Sequence, residues 1–271
     1  MTNYNELFVQ IPEYYRITLG NKIKVAVLDT GIDPDHEAFN HEEINNLVAS
    51  TTEFGINDQL NHGTHCAGII GARQGQLKGL APQCVFFISK VVSDKGHYNI
   101  DAINKALRWA IDNQADVINM SFGMNEDDKD NPVLLSLISE AVNKNIIMVA
   151  SAGENGSLTK PNELLYPAML SGIIAVGAVD DSSLAGNFSS KLSFIMPFRK
   201  ILSCGNNNDY IELEGCSMSA AFVSGMVCLI KAGKTNPSEL DLATTLKELN
   251  SFSIPVNDQI NFDNSLQLIK P

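Results

Sequence analysis

Positive charge is scarce in this sequence. The chain has 19 Lys and Arg residues against 31 Asp and Glu residues, which gives a formal net charge of −12 at neutral pH. A protein with that balance repels a phosphate backbone over most of its surface. We therefore expect no nucleic-acid partner.

Long apolar runs are also missing. The apolar stretches are short, such as residues 146–150, whereas a membrane-spanning helix needs about 18 or more such residues. The first residues, Met1 to Leu7, have neither the basic start nor the apolar core of a secretory signal. The sequence thus predicts no membrane association. It also favours a cytoplasmic location over a secreted one, unless the chain is a processed mature fragment.

Cysteines are few and irregularly spaced. An odd number without metal-type spacing argues against both a disulfide framework and a zinc site, and it fits reduced thiols in a cytosol. The five positions are Cys66, Cys84, Cys204, Cys216 and Cys228.

Segments typical of strands and of helices alternate along most of the chain. Residues 100–111 have an apolar stripe at helical spacing, with Asn99 as a candidate cap, and residues 133–143 repeat that pattern. A last helix is predicted over 237–249, whereas loops are predicted over 123–132, 153–167 and 180–212. Strand-like runs rich in β-branched residues occur at 23–28, 84–92, 117–120, 145–150 and 173–179.

This alternation predicts an α/β fold. Strand, helix and strand in succession form a mostly parallel, twisted sheet with helices on both faces. With 271 residues and 44% hydrophobic content, we expect a single domain over residues 1–271. Functional side chains are then expected at the C-terminal ends of the strands.

Three short motifs carry candidate catalytic residues. Asp29 ends a predicted strand, His62 begins a segment of small residues, and Ser217 stands at the head of an apolar helix. Taken singly, these residues are most simply a turn residue, a polar loop residue and a helix cap. Taken together they supply a nucleophile, a base that removes its proton and a carboxylate that holds that base in the right tautomer.

The three motifs, in the order Asp, His, Ser, resemble those of the subtilisin-like serine proteases, the subtilase family. The matching segments are residues 29–33 (DTGID), 62–65 (HGTH) and 215–218 (GCSM), and the resemblance covers roughly residues 8 to 250. Cys66 comes directly after the histidine motif, and a cysteine at this place resembles the thiol-containing branch of the family that includes proteinase K. The resemblance implies a subtilisin-like fold and a serine endopeptidase.

The resemblance also implies roles for individual residues. Ser217 would attack the scissile carbonyl to form an acyl-enzyme, His62 would take and return the proton, and Asp29 would stabilise the imidazolium. His65 would have no catalytic role. The family binds its substrate as an added strand between two extended segments, so we expect an extended or unstructured polypeptide substrate and a processing or maturation role. The matching segments consist of Ser121, Phe122 and Gly123, and of Ser151, Ala152 and Gly153.

The second donor of the oxyanion hole is where the sequence departs from the family pattern. The family has Ala-Gly-Asn, whereas here Ala152-Gly153 is followed by Glu154 and then Asn155. An ionised carboxylate repels an oxyanion, so Asn155 is the expected donor after a shift of one residue. Two alternatives stay open: a protonated Glu154 that donates, or a Glu154 in solvent with the second donor missing.

Acidic ligands are absent from the place that resembles the family's strong calcium site. Ala38 stands where the family has an Asp, and residues 73–78 contain no carboxylate. We therefore expect no metal there and no obligatory cofactor, while calcium binding elsewhere stays open.

The main rival to an active endopeptidase is a pseudoprotease, a peptide-binding regulatory module with an impaired oxyanion hole. The presence of Asp29, His62 and Ser217 argues against it. An esterase with a Gly-x-Ser-x-Gly elbow is not supported, because the segment around Ser217 ends in Ser219 rather than Gly.

Overall fold

The computed structural model describes residues 11, 13–39, 47–48, 54–124, 126–153, 165–178, 194–196 and 200–251. Its strands are β1 (Lys24–Asp29), β2 (Leu47–Val48), β3 (Val85–Lys90), β4 (Val117–Met120), β5 (Ile147–Ser151), β6 (Ile173–Ala178), β7 (Phe194–Met196), β8 (Ile201–Cys204) and β9 (Tyr210–Leu213). Its α-helices are α1 (Glu13–Arg16), α2 (His62–Gly71), α3 (Ile100–Asp112), α4 (Pro132–Asn143), α5 (Cys216–Ala232) and α6 (Leu242–Asn250).

The first seven strands form one sheet in the spatial order β2-β3-β1-β4-β5-β6-β7. Every neighbouring pair in this sheet runs parallel. Strands β8 and β9 form a separate antiparallel hairpin. The predicted parallel strands are confirmed, with bounds within a few residues of those expected from the sequence.

Helices cover both faces of the sheet. Val25 and Val27 of β1 belong to a core shared with α2 and α5, whereas Ala26 and Leu28 belong to a second core shared with α3 and α4. Successive side chains of a strand point to opposite faces, so one strand contributes to both cores. This confirms the predicted α/β fold. A single domain over the full 271 residues stays a prediction, since it includes residues outside the described ranges.

Helix ends follow the capping rules in some places and depart from the predictions in others. The Asn99 side chain accepts hydrogen bonds from the amides of Asp101 and Ala102, as predicted for the start of α3. The prediction of a helix from residue 237 was wrong at its start. Residues 237–239 form a 3₁₀ turn, and α6 begins at Leu242 because Asp241 caps it through the Thr244 amide.

The prediction of a loop over residues 180–212 was wrong in part, because strands β7 and β8 and most of β9, which ends at Leu213, fall in it. The turn of the hairpin β8–β9 is the polar stretch 205–209, in which Asn207 and Asn208 have positive φ angles. Among the residues that the structure describes, no helix is long and apolar enough to cross a membrane.

Candidate active site

The C-terminal ends of three adjacent strands meet at one edge of the sheet. Asp29 ends β1, Ser121 follows β4, and Ser151 ends β5. These strands are neighbours in the order β1-β4-β5. The edge therefore brings the aspartate motif together with both predicted substrate-binding segments, as expected for an open parallel sheet.

His62 is the first residue of α2, and this helix starts almost in contact with the end of β1. A Cβ atom on Gly63 would lie 2.2 Å from the Gly31 carbonyl oxygen and 3.2 Å from the Cβ of Asp29. No side chain fits into those spaces. The glycine at position 63 thus allows the imidazole to reach the Asp29 carboxylate.

Asp29 and His62 form a short hydrogen bond. The His62 Nδ1 lies 2.6 Å from Asp29 Oδ1, and the Thr30 amide donates to the same oxygen at 2.7 Å. The Asp29 side chain is 2% exposed and that of His62 is 29% exposed. A carboxylate accepts, so Nδ1 carries the hydrogen and Nε2 is left with its lone pair. This is the tautomer that a general base requires.

Ser217 lies in the first turn of α5, close to the end of β4. Its hydroxyl donates to the Ser121 carbonyl at 3.0 Å, and the Ser121 hydroxyl donates to the Ser217 carbonyl at 2.9 Å. The Asn119 amide nitrogen donates to Ser121 Oγ at 3.0 Å. This reciprocal pair fixes the start of α5 against the edge of the sheet. The N-terminal end of a helix dipole favours a negative charge that develops nearby.

Cys66 lies beneath this group. Its thiol is fully buried and is 4.0 Å from the Ser217 carbonyl oxygen. Burial and the charge of Asp29 raise the pKa of Cys66 well above its usual value of 9. Ligand-type atoms of Asp29, His62 and Cys66 lie within 4.8 Å of one another. Because Asp29 and His62 already bind each other and the thiol is held protonated, the group is better described as an Asp–His pair beside a neutral thiol.

The predicted substrate-binding segments continue β4 and β5 beyond the sheet. Gly123 is exposed, and within the described residues no hydrogen bond uses its peptide groups. Ala152 differs, because its amide donates to Val176 and its carbonyl accepts from Leu165. The Cys216 thiol donates to the Gly153 carbonyl at 3.1 Å, which links the start of α5 to the second segment. Glu154 and Asn155 lie outside the described residues.

His65 is turned away from Asp29. Its Nε2 hydrogen is shared between the carbonyls of Ile201 and Ile211 at 2.9 and 3.2 Å, so it links α2 to the hairpin β8–β9. Burial lowers the pKa of His65 to about 4. The geometry agrees with the expectation that this second histidine of the motif is structural.

Arg73 occupies the region that resembles the family's calcium site. Its guanidinium donates to the carbonyl oxygens of Phe39, Pro82 and Cys84 at distances of 2.7 to 3.3 Å. It also lies 5.5 Å from the centre of the Phe86 ring. A fixed cation thus satisfies backbone oxygens of two separate segments in this region.

Asp58 is a buried carboxylate that the sequence analysis missed. It lies four residues before His62 and is 4% exposed. Its two oxygens accept hydrogen bonds from residues on either side of the Asp29–His62 pair. The one available signal was an acidic residue just upstream of the histidine motif.

A parallel α/β sheet that brings a buried Asp, its histidine partner and a helix-borne serine to one edge is the arrangement expected of a serine hydrolase. The chain belongs to the subtilase family, whose pattern matches residues 20–250, and it is a serine endopeptidase.

Several curated proteins are similar to it. An intracellular serine protease of Paenibacillus polymyxa is 32% identical over 244 residues, which cover 86% of this chain and 74% of that protein. The major intracellular serine protease of Bacillus subtilis (strain 168) is 34% identical over 224 residues, which cover 79% of this chain and 69% of that protein. Subtilisin E of Bacillus subtilis (strain 168) is 35% identical over 216 residues, which cover 78% of this chain and 56% of that protein.

Proposed function

We propose that the protein hydrolyses peptide bonds in extended or unstructured polypeptides through an acyl-enzyme on Ser217. The observation that carries this proposal is the 2.6 Å contact between Asp29 and His62, beside the helix that bears Ser217. The Ser217 hydroxyl attacks the scissile carbonyl while His62 Nε2 takes its proton. The resulting imidazolium, stabilised by Asp29, gives that proton to the leaving amine. Water then hydrolyses the ester by the same route.

Substrate would bind along residues 121–123 and 151–153. The exposed position of Gly123 and its peptide groups, which make no backbone hydrogen bond within the described residues, support binding along 121–123, because an added strand needs peptide groups that the protein itself leaves unused. An unstructured segment can adopt that conformation without unfolding, whereas a folded domain cannot. A role in processing or maturation of polypeptides is the form of the activity that we propose.

The oxyanion would be bound by the first amides of α5 and by a second donor, for which we propose Asn155. Exchanging Glu154 and Asn155 restores the order that the family has. The exchange should leave kcat unchanged if Asn155 already donates, and should raise it by up to ~10²–10³-fold if that donor is missing. Asn155→Ala should lower kcat only in the first case.

We further propose that the protein acts inside the cell and without an obligatory cofactor. Two of the relatives are named as intracellular proteases. All five cysteines are free and buried, which suits a reducing compartment. The Arg73 guanidinium already donates to backbone carbonyls in the region that resembles the family's strong calcium site, which supports an activity that does not depend on calcium there.

Labelling with a fluorophosphonate probe, combined with turnover of an unfolded protein substrate, tests the central proposal. Ser217→Ala should lose both labelling and turnover, and His62→Ala should lose nearly all of both. The double variant should be little worse than either single one, because the residues act as a unit. Ser171→Ala and His97→Ala, at exposed positions, are matched controls and should behave as the wild type.

Normal turnover by Ser217→Ala would refute the assignment. A wild-type protein that binds unfolded polypeptides but neither labels nor cleaves would indicate the pseudoprotease instead. The comparisons do not favour that alternative, since the relatives described above are named as proteases or subtilisins.

A further inference from the structure

The helix that begins at His62 is not capped by its own flanking residue. Asn61 has a left-handed backbone, with φ of 66°, and its side chain makes no bond to the helix. The Asn61 side-chain oxygen instead accepts from the Asn206 amide at 2.7 Å. The first amides of a helix need partners from elsewhere when the cap residue does not supply them.

Asp58, four residues before His62, and Thr30, which follows strand β1, supply those partners. The Asp58 Oδ2 accepts from the Thr64 amide at 2.9 Å and from the Thr64 hydroxyl at 2.8 Å. The Thr30 hydroxyl oxygen accepts from the Gly63 amide at 2.8 Å. The orientation of the first turn, and hence of His62, is therefore set by Asp58 and Thr30.

Thr30 links this cap to the catalytic carboxylate. Its hydroxyl donates to Asp58 Oδ1 at 2.9 Å, while its amide donates to Asp29 Oδ1 at 2.7 Å. That Asp29 oxygen is the one that binds His62 Nδ1. A continuous set of hydrogen bonds thus joins Asp29 to the helix of His62 by a second route, which passes through Asp58.

The position of Asp58 is itself fixed on several sides. Its amide donates to the Ile32 carbonyl at 3.1 Å, and the Ile32 amide donates to the Ile56 carbonyl at 2.8 Å. Next to it, the Asn57 carbonyl accepts from the ammonium of Lys90 at 2.6 Å. Lys90 is 1% exposed, and its backbone lies opposite that of Asp29 in the register of the neighbouring strands β3 and β1. The segment that carries Asp58 is therefore held against the end of the sheet.

We propose that Asp58 is a positioning residue that aligns His62 with Asp29 through Thr30 and Thr64. The inference rests on the proposed catalytic triad and extends it by a residue that does not touch the substrate. Displacement of a catalytic group by about 1 Å costs on the order of 10²-fold in rate. Loss of the Asp58 bonds should thus lower kcat, whereas substrate binding along 121–123 and 151–153 should be little affected.

The test compares kcat and KM in Asp58→Asn with those of the matched control Asp35→Asn, which makes the same chemical change at an exposed position. Active sites are counted from the end point of fluorophosphonate labelling, so that misfolded molecules are left out. For Asp58→Asn we expect kcat per labelled site to fall about 10- to 100-fold, with KM within about threefold of wild type. Asp35→Asn should match the wild type in both.

Thr30 provides a second variant with little change in shape, should Asp58→Asn not fold. Thr30→Val removes the hydroxyl and should lower kcat per labelled site about tenfold or more. Thr30→Ser keeps the hydroxyl and should keep most of the wild-type kcat. A purely structural role predicts lower stability but an unchanged kcat per labelled site.

Wild-type kcat per labelled site in Asp58→Asn, or in Thr30→Val where Asp58→Asn does not fold, together with an inactive Ser217→Ala, would overturn the role of Asp58 and leave the triad in place. Turnover by Ser217→Ala would overturn the triad and the positioning role with it.

Discussion

His65 should make the folded protein sensitive to acid. Burial lowers its pKa from the usual 6.5 to about 4, so between these values the unfolded chain binds a proton that the folded protein excludes. The free energy of unfolding must then fall as the pH is lowered from 6.5 towards 4. The loss attributable to His65 is about 3 kcal/mol over that range.

Urea unfolding at pH 7 and pH 4.5 measures this loss, in a Ser217→Ala background to prevent self-digestion. In His65→Gln the decrease in stability between the two pH values should be smaller by about 2 kcal/mol. The same substitution at His97, which is exposed, should leave the decrease unchanged. Equal decreases in all three proteins would show that His65 titrates normally.

Cys66 should make the enzyme sensitive to mercurials. The thiol is buried against Asp29 and Ser217, so a bulky adduct there displaces His62. The raised pKa keeps little thiolate at neutral pH, and inhibition should be slow as a result. Residual activity after timed exposure to a mercurial measures the effect. Cys66→Ser should abolish it and Cys216→Ser should not; the reverse result would assign the reactive thiol to Cys216.

Among the elements, the segment after α2 should owe its stability to Arg73 rather than to a metal. Replacing the guanidinium leaves buried carbonyls of Phe39, Pro82 and Cys84 without donors. Such losses cost about 1–3 kcal/mol, which lowers Tm by roughly 2–12 °C in a protein of this size. Arg73→Met should show this decrease in a thermal melt. Lys78→Met, in the same loop but exposed, should not.

Removal of metal ions by chelation tests whether a bound metal contributes to the stability of the same segment. With a cation already supplied by Arg73, EDTA should shift the Tm of the wild type by less than about 2 °C. A decrease of more than about 10 °C would show that a tightly bound metal stabilises the fold.

The elements that could be predicted are those that bury a continuous face. Strands β1, β4 and β5 are short apolar runs because both of their faces are covered, and α3 has a clear apolar stripe and an Asn99 cap. The hairpin β8–β9 has no such signal. Leu202 is 40% exposed and Glu212 is exposed, so neither strand shows an apolar run.

The candidate site could be predicted in part, for a similar reason. Asp29, His62 and Ser217 stand in motifs whose residue order is informative in itself. Asp58 acts through contacts with Thr30 and Thr64, which arise only when the helix docks on the end of β1. A residue whose partners are set by tertiary contact has no local pattern in the sequence, so motifs alone do not predict the role of Asp58.

The whole molecule carries a net charge of −12, and its field should favour cationic substrates at low salt. The loop after Gly123, which follows the proposed substrate-binding segment 121–123, adds Glu126, Asp127, Asp128 and Asp130, although Lys129 pairs with Glu126 at 2.9 Å. The Debye length falls from about 30 Å at 0.01 M to about 3 Å at 1 M salt. For a Lys-rich peptide kcat/KM should therefore decrease several-fold over that range, and a neutral peptide of equal length should change little.

The triple variant Glu126→Gln, Asp127→Asn, Asp128→Asn separates the loop from the rest of the surface. If the loop selects cationic residues, the variant should lose most of the salt dependence. An unchanged dependence would assign it to the charge of the whole protein. Asp128 also accepts from the Tyr98 hydroxyl at 2.5 Å, so the Tm of the variant should be measured alongside.

The separation of the site residues along the chain has a consequence for the timing of synthesis. His62 and Ser217 are 155 positions apart (217 − 62), and the helix of Ser217 packs against that of His62 on one face of the sheet. At about 5–20 residues per second, a ribosome needs roughly 8 to 30 seconds to extend the chain from one to the other. During that interval the nascent polypeptide is open to cleavage but, on the proposed triad, has no nucleophile. Only when α5 docks against α2 and the sheet does the chain, on the proposed triad, become able to cut.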